Sequence, residues 1–207
     1  RIACSLGSLL TVEEVLQCTE LVAKTKIDSI WIPETWGMEN FSMLGAISSE
    51  TKTQKIGSSI INIYSRSPST ISMGAATTDI LSNGRLILGL GTSSVPIVED
   101  FHGEKFETPV QRMREYIEII RLSLSKKQIN YSGKIFNLKN FTLLIEPKRT
   151  SIPIYLAVIN QKMVNLAWEL GDGVIFYLRP LDEMKKTISK MQSERKIDVA
   201  CQIITSI

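Results

Sequence analysis

The sequence predicts an α/β protein built as a (β/α)8 TIM barrel, and three observations carry that expectation. Strand-like and helix-like runs alternate almost from end to end. Repeated βα units of this kind need a parallel sheet with helical crossovers. The strand-like runs are short and nearly continuously apolar, as parallel strands buried on both faces are. A doubly wound open sheet also fits the alternation. Seven runs that stop abruptly near the chain's end favour a barrel whose eighth strand and last helices lie beyond Ile207. Residues 1–207 are accordingly expected to form one barrel domain, and the natural protein to extend further, since the chain begins at Arg1 and ends in an apolar run.

The elements follow in order. "RIACSL" opens as a strand. "TVEEVLQCTELVAKT" is a helix, with Thr11 as cap and Glu14 three residues on, the spacing of a capping box. "SIWIP" is the second strand and "FSMLGAISSET" the second helix. "KIGSSII" is a β-branched strand. In "SPSTISMGAATTDILSNG", Pro68 can begin a helix and Gly84 can end it. "RLILGLG" is the fourth strand. "TPVQRMREYIEIIRLSLSK" places Met113, Ile117, Ile120 and Leu124 on one face of a helix. The rhythm breaks at residues 128–150, which carry no helical period and predict a hairpin-like excursion turning near Ser132-Gly133. It resumes with "IPIYLAV", "NQKMVNLAWELG", "DGVIFYL", "PLDEMKKTISKMQSER" and "DVACQIITS".

Composition narrows the function. The chain is 43% hydrophobic and 22% charged, with a formal charge of +3 spread without a basic stripe, which argues against a nucleic-acid partner. Cys4, Cys18 and Cys201 are odd in number and far apart, so they form neither a disulfide framework nor a metal spacing, and a reducing cytoplasm is expected. No apolar stretch is long enough for a membrane helix, and no signal peptide is visible. A single histidine, His102, and no cysteine cluster argue against a zinc site. Ser93 and Ser94 lack a triad, which argues against hydrolysis. The few acid–base residues point to chemistry carried by an organic cofactor and a small-molecule substrate.

In a barrel the chemistry sits where strands end. Glu34 and Trp36 follow the second strand; a carboxylate and an indole there suit a proton donor and a flat ring. The structural alternative, a Glu capping a helix and a Trp filling the barrel top, stands equally at this point. "GLGTSS" after the fourth strand lacks the last glycine of a dinucleotide fingerprint and the Gly-Lys-Ser of a Walker loop. Its small residues would let a ligand approach the strand end.

The segments "IWIPETWGMENF", "KIGSSIINIYSRSPSTISMGAATTDILSNGRLILGLGTSS", "VEDFHGEKFETPVQRMREYIEIIR" and "IPIYLAVINQKMVNLAWELGDGVI" together resemble the luciferase-like oxidoreductases. More narrowly they resemble the branch that uses the 8-hydroxy-5-deazaflavin coenzyme F-420, related to methylenetetrahydromethanopterin reductase. The resemblance implies a (β/α)8 barrel with an excursion before the fifth strand. It implies hydride transfer between a deazaflavin and a small organic substrate, with a methylene-tetrahydropterin as one candidate. It places Glu34 and Trp36 beside the deazaflavin, and Glu34's position at the end of the second strand leads us to expect that it helps set the protonation or orientation of the reacting pair. Thr35 stands where several relatives have His, which argues against a secondary-alcohol dehydrogenase. Ser59, Ile60 and Asn62 match the segment behind the ring, with a cis peptide expected between Ser59 and Ile60. Gly91, Thr92 and Ser93 match the rim past which the ring and ribityl chain run. Ala157, Val158, Ile159 and Asn160 match the phosphate site, where Asn160 replaces a common glycine and is expected to tolerate a left-handed turn. A homodimer through helices at 40–51 and 68–83 is also implied. The alternatives are an FMN-dependent luciferase-like monooxygenase and a non-catalytic luciferase-like binding protein.

Overall fold

The computed structural model describes residues 1–7, 9–125 and 128–204. In chain order the elements are β1 (Ala3–Ser5), α1 (Val12–Ala23), β2 (Ser29–Ile32), α2 (Asn40–Glu50), β3 (Lys55–Ser58), β4 (Ile61–Asn62), α3 (Pro68–Leu81), β5 (Leu86–Gly91), α4 (Pro109–Ser125), β6 (Ile129–Ser132), β7 (Asn137–Phe141), β8 (Ile154–Val158), α5 (Gln161–Leu170), β9 (Gly173–Tyr177), α6 (Leu181–Glu194) and β10 (Asp198–Gln202). The seven expected strands are all present, the third divided into β3 and β4. Residues 205–206 of the seventh expected run, and Lys126 at the end of the fourth expected helix, lie outside the described residues. The excursion is an antiparallel hairpin of β6 and β7, turning at Gly133 as expected.

All barrel pairings are parallel, in the order β1-β2-β3-β5-β8-β9-β10, with β4 continuing beside β5. The sheet curls until its first and last strands approach. Gln202 Nε2 of β10 donates to Ser5 Oγ of β1 at 3.2 Å, and Arg1 pairs with Asp198. The result is a nearly closed barrel.

Alternation along each strand sorts the apolar residues into two cores. Ile30, Ile32, Leu86, Leu88, Leu90, Ile154, Leu156, Val174 and Phe176 point outward and meet the helices. Trp31, Ile87, Tyr155 and Ile175 point inward and fill the barrel. Two glycines make room for the inward rings: a Cβ on Gly57 would lie 2.5 Å from the Trp31 ring, and one on Gly173 would lie 2.6 Å from the Tyr155 ring.

Local chemistry fixes the helix ends. Glu14 N donates to Thr11 Oγ1 at 3.2 Å and Thr11 N to Glu14 Oε2 at 2.7 Å, completing the capping box. Pro68 occupies the first turn of α3 behind a Ser67 cap. Asn83 and Gly84 leave that helix through left-handed conformations, with φ of 55° and 81°. Among the described residues no helix is long and apolar enough to cross a membrane.

Candidate functional site

The C-terminal ends of the strands form a rim whose geometry starts at the third strand. Gly57 pairs with Ile87, but Ile61 pairs with Leu90, so this strand carries one residue more than its neighbour over the interval. The extra residue is a bulge at 58–60, and the Ser59–Ile60 peptide within it is cis, as expected. Where the bulge interrupts the ladder, a side chain replaces it. Ser58 Oγ accepts from Gly89 N at 2.7 Å and donates to Gly89 O at 2.9 Å. The strands approach so closely that a Cβ on Gly89 would sit 1.9 Å from Ser58 O.

Size along the inward positions changes from bottom to top. Trp31, Tyr155, Ile87 and Ile175 fill the lower half. Above them β5 and β8 present Gly89, Gly91 and Ala157. Ile60 leans over this small-residue floor: a Cβ on Gly91 would lie 2.5 Å from Ile60 Cδ1 and 3.4 Å from Ala157 Cβ. The structure therefore brings Ile60, Gly91 and Ala157 together. Ser59 Oγ donates to Gln202 Oε1 at 3.3 Å, and Gln202 continues to Ser5, joining three strand ends. Asn62 is buried; its Oδ1 accepts from Tyr64 N at 3.0 Å while its Nδ2 has no partner.

Apolar side chains surround the rim. Trp36, 72% exposed, follows β2, and Phe101, 60% exposed, ends a π-helical turn (Ile97–Phe101) after β5. The two rings meet edge to face. Ile159 after β8 and Tyr177 and Leu178 at the end of β9 are exposed as well. Thr92 and Ser93 are half-buried, and Ser93 takes a left-handed φ of 57°. Leu178 does the same at 46°, rare for a bulky residue. Sequence reasoning did not single out Phe101, Tyr177 or Leu178; the signal available was an apolar residue in a loop directly after a strand.

Glu34 is held rather than free. Arg66 donates Nη1 to Glu34 Oε2 at 2.6 Å and Nη2 to Glu34 Oε1 at 2.5 Å, and the Asn40 amide donates to Glu34 Oε1 at 3.1 Å. Both side chains are nearly covered, at 11% and 15% exposed. The hydrogen bonds to Glu34 hold the Arg66 guanidinium above its ordinary pKa. Arg66 Nη2 also pairs with Glu39, which caps α2 by accepting from Phe41 N and Ser42 N. Burial pushes the Glu39 carboxyl up, but those bonds and Arg66 outweigh it and hold it below the usual range. Tyr116 donates its hydroxyl to Arg66 O, and burial pushes that phenol up to about 12, so it stays a donor. Arg66 had no role in the sequence reading.

After β8, Val158 is buried while Ile159 and Asn160 are exposed. The left-handed turn expected at Asn160 is corrected: its φ is −108°, extended, and it is the N-cap of α5, with Oδ1 accepting from Met163 N at 3.0 Å. Ncap geometry requires this extended backbone, and Asn serves it through its side chain.

Arg85, from the motif "SNGR", lies at the opposite face. It donates to Ser48 O at 2.9 Å, Thr51 O at 3.0 Å, Gln54 O at 2.6 Å and Ser82 O at 2.6 Å, tying the ends of α2 and α3 to the start of β3. Beside it the fully buried Asp79 carboxylate pairs with Arg149. This end of the barrel carries stabilising contacts, opposite the strand ends at which barrel enzymes in general place their chemistry.

The family model described as luciferase-like monooxygenase matches residues 2–207. The chain belongs to this family. A Mycobacterium tuberculosis protein provisionally named as a coenzyme F-420-dependent oxidoreductase is 35% identical over 175 residues, covering 76% of this chain and 50% of the relative. The 5,10-methylenetetrahydromethanopterin reductase of Archaeoglobus fulgidus is 36% identical over 157 residues, covering 75% of this chain and 46% of that one. The luciferase-like chain thus spans about half the length of these curated relatives. The solved structure of the coenzyme F-420-dependent tetrahydromethanopterin reductase of Methanopyrus kandleri superposes with a TM-score of 0.87 at 21% identity, covering 97% of this chain and 64% of that one. That likeness establishes the luciferase-like barrel fold.

Proposed function

We propose that this chain is the barrel of a coenzyme F-420-dependent oxidoreductase, which moves a hydride between the deazaflavin and a small organic substrate. The observation that carries the reading is the set of strand ends: Gly91 and Ala157 lie under Ile60, and the loops after β2 and β5 carry the exposed, mutually packed rings of Trp36 and Phe101. A flat heteroaromatic ring fits a small-residue floor with apolar walls, and the unpartnered Nδ2 of Asn62 is a donor suited to a ring carbonyl. The names of the two relatives support the same cofactor.

When bound, a deazaflavin supplies a two-electron hydride carrier. The chain's own residues then orient and exclude water. Ser59, Ile60 and Asn62 back the ring, Gly91, Thr92 and Ser93 let it past the strand end, and Trp36 covers it. Ala157, Val158, Ile159 and Asn160 lead into the start of α5, whose first-turn amides suit the coenzyme phosphate. Glu34, ion-paired on both oxygens, orients the loop that carries Trp36. A methylene-tetrahydropterin is the substrate candidate the relatives suggest.

The protein is further proposed to be a cytoplasmic homodimer. Met73 and Leu81, 52% and 58% exposed, present an apolar stripe on α3 beside α2. Sedimentation equilibrium at micromolar concentration would show two chains; a single chain would contradict the dimer.

Competing titrations of the protein with deazaflavin coenzyme and with FMN test the cofactor assignment. The reading requires the deazaflavin to bind and FMN not to displace it at equal concentration. Displacement by FMN would assign the rim to the flavin monooxygenases of the family, and binding of neither would assign it no cofactor.

A further inference from the structure

We propose that Arg66 is the positioning residue of the rim. One guanidinium binds a carboxylate at each end of the 34–39 loop and so fixes Trp36 in the wall against Phe101. Glu34 then serves as a latch on this loop and not as the residue that hands a proton to the substrate. This rests on the cofactor reading only for its consequence, not for its geometry.

The wiring is specific. Glu34 opens the loop and Glu39 closes it, and Trp36 lies between them. Arg66 bonds to both carboxylates through Nη2 and to Glu34 again through Nη1. Both carboxylates also accept backbone amides at the start of α2: Glu34 from Asn40, and Glu39 from Phe41 and Ser42. The loop therefore has two anchors on the helix and one planar cation joining them. Arg66 is itself placed from three sides. Its backbone carbonyl accepts from Tyr116, its Nη1 donates to Ser65 Oγ at 3.2 Å, and its guanidinium lies 5.7 Å from the Phe41 ring centre. A fork that binds two carboxylates in fixed planes is what an arginine provides and a lysine does not. Both Glu34 oxygens accept from the guanidinium, so the carboxylate is spent on holding the loop rather than on the reacting pair. The Trp36 ring, by contrast, is exposed and touches Phe101 on the far side of the rim. Without the guanidinium, two carboxylates would face one another across a short loop, and their repulsion would open it.

The chain has three tryptophans, Trp31, Trp36 and Trp168, so 5-fluorotryptophan labelling gives three ¹⁹F resonances, with Trp36 assigned by its loss in Trp36→Phe. In Arg66→Met the Trp36 resonance is expected to move toward free fluorotryptophan, while those of the buried Trp31 and Trp168 stay in place and report an intact barrel. Arg66→Lys should give an intermediate position. In the same variants deazaflavin affinity should fall about tenfold, and Trp36→Ala should add little on top of Arg66→Met, because both remove one wall. Glu34→Gln should leave the pH profile of single-turnover hydride transfer unshifted, only lowering its height. An unmoved Trp36 resonance in Arg66→Met overturns the proposal, as does a pH limb that vanishes in Glu34→Gln. If all three resonances move in Arg66→Met, Arg66→Lys decides: a Trp36-only shift there upholds the proposal, and its absence overturns it. If the wild type binds no deazaflavin, a Trp36-only shift still upholds the positioning role while the cofactor reading fails.

Discussion

Trp36 and Phe101 meet edge to face with ring centres 5.7 Å apart, although one follows β2 and the other ends the π-helical turn after β5. Neither is covered by the rest of the barrel, so this pair is available to a ligand. An aromatic pair contributes about 0.5–1.5 kcal/mol beyond its buried area. Phe101→Ala should therefore weaken deazaflavin binding roughly 2- to 10-fold by calorimetry. Trp36→Ala should weaken it more, and the two losses should not add. Additive losses would place the rings in separate contacts.

Gly89→Ala should destabilise by about 3 kcal/mol or more, because the new Cβ would stand 1.9 Å from Ser58 O with no flexible side chain to yield. Gly45→Ala is the control. Its nearest neighbour is Leu81 Cδ1 at 3.8 Å, and within α2 it should gain about 0.5–1 kcal/mol. Urea unfolding of both variants checks the contrast; equal midpoints would show that the strand contact at the bulge is slack.

Glu115 holds the excursion. Its buried carboxylate accepts from Gln111 Nε2 at 2.8 Å and from the amides of Lys134 at 2.8 Å and Phe136 at 2.9 Å, with Ile135 between them. Burial pushes its pKa up, but these donors outweigh burial and hold it below the usual carboxylate range. A depressed carboxylate contributes stability that is present above its unfolded value, about 4.3, and is lost as pH falls through the lower folded value. Glu115→Gln should cost about 2–4 kcal/mol at pH 7 and flatten the acid limb of the stability curve. An unchanged acid limb in that variant would place the acid sensitivity elsewhere.

Asn160→Ala should weaken coenzyme binding only modestly, by about 1 kcal/mol, since the cap is lost but the α5 amides remain. Asn160→Pro removes an N–H and forces φ away from the observed −108°, and should weaken it much further. Equal, negligible effects on affinity would exclude this turn as the phosphate site.

Most of the fold was legible because burial on both faces writes itself into the strands as continuous apolar runs, and Thr11, Pro68 and Gly84 punctuate the helices by local chemistry. The cis bond between Ser59 and Ile60 came from the resemblance and not from the residues. What escaped was tertiary. Arg66 finds Glu34 across 32 residues, and Glu115 finds its amides some 20 residues on, distances over which spacing carries no signal. Asn160 was misread for a related reason. Its replacement of a glycine suggested a left-handed turn, whereas the start of α5 selects an N-cap, a role Asn fills equally well. Arg85 lies within a segment that carries the resemblance, yet it serves the stable end of the barrel; a shared segment does not say which end each of its residues serves.

Hydrogen–deuterium exchange with and without the deazaflavin coenzyme tests the central claim most directly. If the rim is the cofactor site, bound coenzyme protects residues 33–40, 59–62, 91–101 and 157–162 together and leaves the hairpin at 129–141 unchanged. Binding accompanied by protection confined to other segments, with these four unaltered, would contradict it.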